Sequence, residues 1–172
     1  MTALSAKIRL ATADDMAAIN DIYNHYVIHC TCTYQEVPST MAERTTWLAA
    51  HDELHPITVA VDEGERVVGW GALNAFHPRS AYRFTVENSV YIHPEFQRRG
   101  LGRRILGDLL IRAEALRHHS VLAIISADQS ASVALHERMG FQKVGHMREV
   151  GLKFTRWLDV IHMQWMVPPR LV

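Results

Sequence analysis

The segment Ser89 to Gly102 constrains the fold of this chain more than any other. An apolar strand pattern (Val90, Tyr91, Ile92) runs through a short basic loop straight into the helical pattern Ile105, Leu106, Leu109, Leu110. A strand that feeds a helix through a glycine-bearing turn places the chain among α/β folds. Gly100 and Gly102 remove the Cβ atoms that would hold a ligand away from the backbone. The helix start offers N–H groups without intrahelical partners at the positive end of the helix dipole. Arg98, Arg99, Arg103 and Arg104 surround it with positive charge. The physical reading is a cradle for a pyrophosphate. It is neither of two familiar phosphate loops, because no Lys-Ser/Thr follows and the third glycine of Gly-x-Gly-x-x-Gly is replaced by Ile105.

The 172 residues suit a single domain, read here as 1–172 with a core over about 7–166. Formal net charge is zero with histidine neutral. That argues against bulk nucleic-acid binding, and the local basic cluster favours a small anion. Cys30 and Cys32 are one residue apart, which is neither a redox Cys-x-x-Cys nor a zinc pair, and two thiols are too few to staple a secreted domain. Residues 1–10 carry no apolar run of signal-peptide length and no stretch approaches a membrane span, so a cytoplasmic setting is expected. His25 and His29 share a helical face but lack a third ligand, and no metal site is expected.

Along the chain, Ile8–Leu10 reads as a strand. A helix entered at Thr12 and Asp15 follows, carrying Met16, Ile19, Tyr23 and Tyr26. Residues 31–38 are irregular. Thr40 and Glu43 form a capping-box signature before Trp47 and Leu48. Residues 57–61 and 66–73 read as a hairpin, 84–92 as a longer strand, 100–116 as the helix after the cradle, and 121–126 as a buried strand. A helix over 130–139 ends at Gly140, and strands over 141–150 and 156–166 close the chain. The order β-α-α-β-β-β-α-β-α-β-β suits a mixed sheet flanked by about four helices.

With the segment Asp128–Gln129–Ser130–Ala131–Ser132 running to Leu135–His136 and Gly140–Phe141, the Gln97-Arg98-Arg99-Gly100-Leu101-Gly102 loop resembles the two cofactor motifs of the GNAT N-acetyltransferase superfamily. The strings Thr85–Val86–Glu87–Asn88–Ser89 and Gly151–Leu152–Lys153–Phe154–Thr155–Arg156–Trp157–Leu158–Asp159 resemble its phosphinothricin/methionine-sulfone acetyltransferase branch. The resemblance implies a mixed, mostly antiparallel sheet splayed at an acetyl-CoA site. It implies a small amino-acid-like substrate and a homodimer. Acetyl-CoA would contact Val90, Tyr91, Ile92, Gln97, Arg98, Arg99, Gly100, Leu101, Gly102, Arg103, Gln129 and Ser132. Gln129 departs from the superfamily's usual asparagine, keeping the amide on an arm one methylene longer.

Acetyl transfer to an aliphatic amine needs a base, because such amines are protonated at neutral pH. Glu87 is the first candidate, in an otherwise apolar strand where desolvation would raise its pKa; the alternative is a solvent-facing strand glutamate. His136 is the second, with an ordinary pKa suited to proton transfer; the alternative is a satisfied structural histidine. The division of roles between them is open. Arg83, four residues before Glu87, could clamp a substrate carboxylate from the same sheet face, at about 13 Å along the strand, or be a solvated arginine. Tyr34 walls the substrate or belongs to the core. Lys153, Phe154 and Trp157 border the site, in their own or a partner subunit, or form an ordinary hairpin. The expected activity is direct transfer from acetyl-CoA to the α-amine of a substrate such as phosphinothricin, methionine sulfone or methionine sulfoximine. The alternatives are acetylation of a protein N-terminus or lysine, and a non-catalytic acyl-CoA sensor.

Overall fold

The structure, a computed structural model, describes residues 5–168. Its strands are β1 (Lys7–Leu10), β2 (Ile57–Val61), β3 (Val67–Ala75), β4 (Thr85–Ile92), β5 (Ser120–Ser126), β6 (Gln142–Lys153) and β7 (Arg156–Met166); its helices are α1 (Met16–His29), α2 (Met41–Ala49), α3 (Leu101–Ala115) and α4 (Ser130–Arg138). One sheet holds all seven strands in the order β1-β2-β3-β4-β5-β7-β6. Every pairing is antiparallel except that of β4 with β5.

Local chemistry places the elements. Asp15 accepts the Thr12 N–H at 2.7 Å and grips Arg9 through both carboxylate oxygens, tying the start of α1 to β1. Thr40 and Glu43 cap α2 reciprocally, at 3.2 and 2.7 Å. Gly140 takes φ 91°, which glycine adopts without the Cβ penalty, and ends the α4 segment.

Two apolar layers cover the sheet. Leu101, Ile105, Leu106, Leu109 and Leu110 of α3 pack on one face with Val68, Val86 and Val121. Each such burial stabilises the fold by about 1.5–3 kcal/mol relative to exposure. Ile19 and Ile22 of α1 pack on the other face with Val59, Trp70 and Ala72. Gly71 lets α3 approach closely: a Cβ there would lie 2.6 Å from Ile105 Cγ2 and 2.9 Å from Leu109 Cδ1. This contact draws α3 onto β3, beside β4.

The β6–β7 hairpin corrects one boundary. Residues 141–150 were expected to end the strand before a loop at 153–157, but β6 runs to Lys153. Only Phe154 and Thr155 turn, at φ 49° and 60°, the positive-φ pair that a two-residue hairpin needs.

Candidate active site

The strand β4 leaves its neighbour part-way along. Only Thr85, Val86 and Glu87 pair with β5, against Ser120, Val121 and Leu122. Beyond them, Asn88 Nδ2 donates to Leu122 O at 2.9 Å, standing in for the next rung. From there to Ile92, β4 pairs only with β3. Strand alternation then decides which amides are free. Phe84 O faces β5, accepting from His119 N, and His93 N faces β3, donating to Val68 O. The register between them is unbroken. The N–H groups of Val90 and Ile92 therefore point to the open edge, whereas that of Tyr91 points to β3. Of Tyr91 and Ile92, only Ile92 thus has its N–H on the open edge.

The open edge leads to the basic turn. Gly100 takes φ 80° at the N-cap of α3, and a Cβ on it would meet nothing within 4 Å. Arg98 also takes positive φ, 59°. Arg98, Arg99 and Arg103 are exposed, whereas the Leu101 side chain is in the core, so that only its backbone is offered. Gln97 Nε2 donates to Tyr26 Oη at 2.7 Å, and that hydroxyl donates in turn to Ile92 O. The turn is thus tied to both α1 and the end of β4.

On the α1/α2 face of β4 lies a cleft of about 430 Å³. Its walls include Tyr23, Tyr34, Arg44, Trp47, Glu87 and Tyr91. Glu87 is half-buried, and desolvation alone raises its carboxyl above the ordinary range. Tyr34 is held by Asp159 O at 3.0 Å and Ser126 Oγ at 3.2 Å. The volume and the aromatic walls suit one small polar molecule.

The model of the acetyltransferase (GNAT) domain matches residues 8–163. The chain belongs to the GNAT acetyltransferase family. An L-methionine sulfoximine/L-methionine sulfone acetyltransferase of Salmonella typhimurium is 37% identical over 158 residues, covering 91% of this chain and 92% of that protein. A phosphinothricin N-acetyltransferase of Alcaligenes faecalis is 37% identical over 159 residues, covering 91% and 80%. Among solved structures, an acetyltransferase of Salmonella typhimurium with its cofactor acetyl-CoA superposes with a TM-score of 0.92 at 35% identity, covering 98% and 97%. The chain is an N-acetyltransferase, with the splayed sheet of this GNAT fold.

The structure separates the two expected proton carriers of this acetyltransferase. Successive strand side chains point to opposite faces. Glu87 faces the cleft, and Asn88 faces α4, where its Oδ1 meets His136 Nε2 at 3.1 Å. His136 Nδ1 lies 2.8 Å from Ser132 O, and the ring packs edge-on to Phe141. At 4% exposure, desolvation lowers its pKa. His136 thus spends both nitrogens inside the protein, on the far side of the sheet from the cleft.

Other expected contacts fall elsewhere. Arg83 is not on β4: it caps the short turn Ser80–Tyr82, is exposed, donates to Ser80 O and lies over the Phe84 ring. It therefore does not share a strand face with Glu87. Lys153 is 2% exposed and donates to Cys30 O at 2.8 Å and Thr33 O at 2.7 Å, so it struts the segment behind the cleft instead of reaching into it. Phe154 and Trp157 are exposed at the hairpin end, Trp157 to 62%. Neither is among the residues lining the cleft. Gln129 Nε2 donates to Thr31 Oγ1 at 2.9 Å, and Ser132 lies in the first turn of α4.

Three residues not expected to bear on the site do so. Arg44 sits on the same helical face as Trp47 and Leu48, and a cation on that apolar stripe was the available signal. Cys32 lines the cleft, and its thiol and amide hydrogen-bond to Cys30, drawing the Cys30 thiol down to about 6 while Cys32 is pushed up. Asn88 has no sequence signal at all. No group of three or more metal-ligating side chains occurs among the described residues, and no helix among them is long and apolar enough to cross a membrane.

Proposed function

We propose that this chain acetylates the α-amine of a small amino-acid-like substrate of the methionine sulfone, methionine sulfoximine or phosphinothricin type, using acetyl-CoA by direct transfer. One observation carries the reading: the Glu87 carboxyl, with its pKa raised, faces a cleft of single-amino-acid size beside the unpaired edge of β4. The names of the relatives support the substrate class.

Acetyl-CoA supplies an activated acetyl thioester. The chain's residues fit it: the left-handed Gly100, the open space above it and the arginines of the turn suit a pyrophosphate. The free amides of Val90 and Ile92 suit a pantetheine arm laid along β4 as an added strand, and an acyl oxygen there would meet an N–H donor. Glu87 takes the proton from the substrate ammonium, directly or through one water. His136 supports the splay through Asn88 and is not a second base. Gly102→Asp tests the cradle. The added Cβ lies 3.3 Å from Leu135 Cδ2, a flexible side-chain end, so the fold tolerates it. Aspartate in the first helical turn also favours the helix dipole. The expected result is unchanged thermal stability with coenzyme A affinity reduced about tenfold or more, read by calorimetry.

Thiol release from acetyl-CoA, measured over free amino acids and then peptides with free N-termini or lysines, tests the function. Turnover of the sulfone, sulfoximine or phosphinothricin at least about 100-fold above any peptide is expected, since the cleft holds one residue. Better turnover of peptides would replace this reading with protein acetylation. Coenzyme A binding without release to any amine would make the chain a sensor. Because Cys32 lines the cleft, direct transfer needs its own check: Cys32→Ala should keep activity within about threefold, and mass spectrometry should find no acetyl group on Cys30 or Cys32. A cytoplasmic setting and a homodimer belong to the same proposal. The exposed Met147, Val150, Leu152, Phe154 and Trp157 of the hairpin support the dimer, which sedimentation at micromolar concentration would detect.

A further inference from the structure

Arg44 is 5% exposed, on α2. Its guanidinium carbon lies 4.7 Å from the Tyr23 ring centroid and 4.8 Å from that of Trp47. Nε donates to Asn20 Oδ1 at 3.1 Å, and Asn20 is oriented for this by its own donation to Ser39 O at 2.9 Å. The rings and the amide thus fix the plane of the guanidinium. No carboxylate pairs with it among the described residues, Glu43 being engaged in the α2 cap. Its two terminal nitrogens have no hydrogen bond within the protein, and neither is sealed from the cleft that Arg44 lines.

Burying a cation without a counter-ion is unfavourable. A guanidinium does not escape by losing its proton, even though desolvation lowers its pKa. The same cleft holds the half-buried carboxyl of Glu87, and no ion pair joins the two. Two carboxyls line the cleft, but Glu43 is engaged in the α2 cap, so Arg44 and Glu87 are the pair left to complement a zwitterion. The substrate's ammonium belongs at Glu87, because that is where the amine must lose its proton.

We propose that Arg44 anchors the α-carboxylate of the amino-acid substrate and thereby restricts the enzyme to free amino acids. The proposal rests on the amino-acid reading above. A carboxylate fits better than the sulfonyl oxygens of the side chain, because a full negative charge and two parallel hydrogen bonds match the guanidinium fork, whereas a neutral sulfone offers only dipoles. A peptide presents an amide carbonyl where this anchor needs a charge, which leaves Arg44 without a counter-ion. Arg83, the carboxylate clamp expected from the sequence, stands on an exposed turn and is not among the residues lining the cleft.

Kinetics with methionine sulfone and its α-carboxamide separate the possibilities. The wild type should favour the acid by about 100-fold in kcat/KM. Arg44→Gln should reduce kcat/KM for the acid about 100-fold, chiefly through KM, and for the amide less than about threefold. Acetyl-CoA affinity should stay unchanged. Arg44→Lys keeps the charge but loses the fork and the stacking, so its loss on the acid should be intermediate; it carries the same comparison if the glutamine variant does not fold. Equal losses on acid and amide would make Arg44 a structural residue and overturn the proposal. So would a wild type indifferent to the carboxylate, while leaving amino-acid acetylation standing. Turnover of peptides but not of free amino acids would remove that function itself, and this assignment with it.

Discussion

Glu87→Gln lowers turnover by about 10²–10⁴-fold and leaves coenzyme A affinity unchanged, the loss expected when a positioned base is removed. The amide keeps the size and the neutral hydrogen bonding of the protonated acid but cannot take a proton from an ammonium. Glu87 lies on the cleft face of β4 and outside the turn at 97–102, so that turn keeps its shape. The pH profile carries a second signature. Burial raises the Glu87 pKa, so kcat/KM should rise with pH through a midpoint above the usual glutamate range, and the variant should lack that limb. Stability should move the other way. The folded carboxyl holds its proton to higher pH than an unfolded glutamate does, so its ionisation costs stability as pH climbs from the unfolded value through the folded one. Glutamine abolishes that cost, and the variant should melt at or above the wild-type temperature at pH 7–8. Wild-type turnover in the glutamine variant would remove Glu87 from the base role.

Lys153→Met should be the most damaging change outside the cleft. The ammonium is the shared donor to Cys30 O and Thr33 O, at 2.8 and 2.7 Å, and the methionine stem fills the same space without donating. Hydrogen bonds to charged groups are worth about 1.5–3 kcal/mol each, so losing both outweighs the relief of a desolvated cation and costs about 2–4 kcal/mol. For a chain of this size that is a fall of roughly 5–15 °C in melting temperature. The segment it holds supplies Cys32, Thr33, Tyr34 and Gln35 to the cleft, so acceptor KM should rise and amide exchange over 30–35 should quicken. A variant with wild-type melting and exchange would show that the strut carries no load. A loss of turnover with neither change would instead return Lys153 to the substrate side.

How much of this was legible follows from the range of each interaction. Strand alternation and helical periodicity are properties of a few neighbouring residues, and they located every strand and α-helix, with β2 and β7 at their observed ends. Cap chemistry is equally local, so the Thr40–Glu43 box and the Gly140 stop were readable from residue type. The left-handed turn before α3 was readable because glycine there relieves a backbone conformation that is itself local. The same alternation rule puts Glu87 and Asn88 on opposite faces of β4. It cannot tell which face holds the cleft, because that depends on which helices pack there. His136 was therefore paired in function with Glu87, although its contact is Asn88.

Side chains that act across long stretches of chain left no such trace. Lys153 reads as a surface charge until the segment 30–33, some 120 residues earlier, packs over it. Arg83 sits four residues from Glu87 in sequence, but the turn at Ser80–Tyr82 takes it off the strand. Arg44 gains its meaning only when Tyr23, Asn20 and Trp47 enclose it and it lines the same cleft as Glu87. Sequence by itself determined the element order, the glycine turn into α3 and the family, because residue type and short periodicities set these. Tertiary structure decided which face of β4 borders the cleft, where the strand parts from β5, and which buried charges lack a partner, because desolvation and long-range packing arise only when distant segments meet.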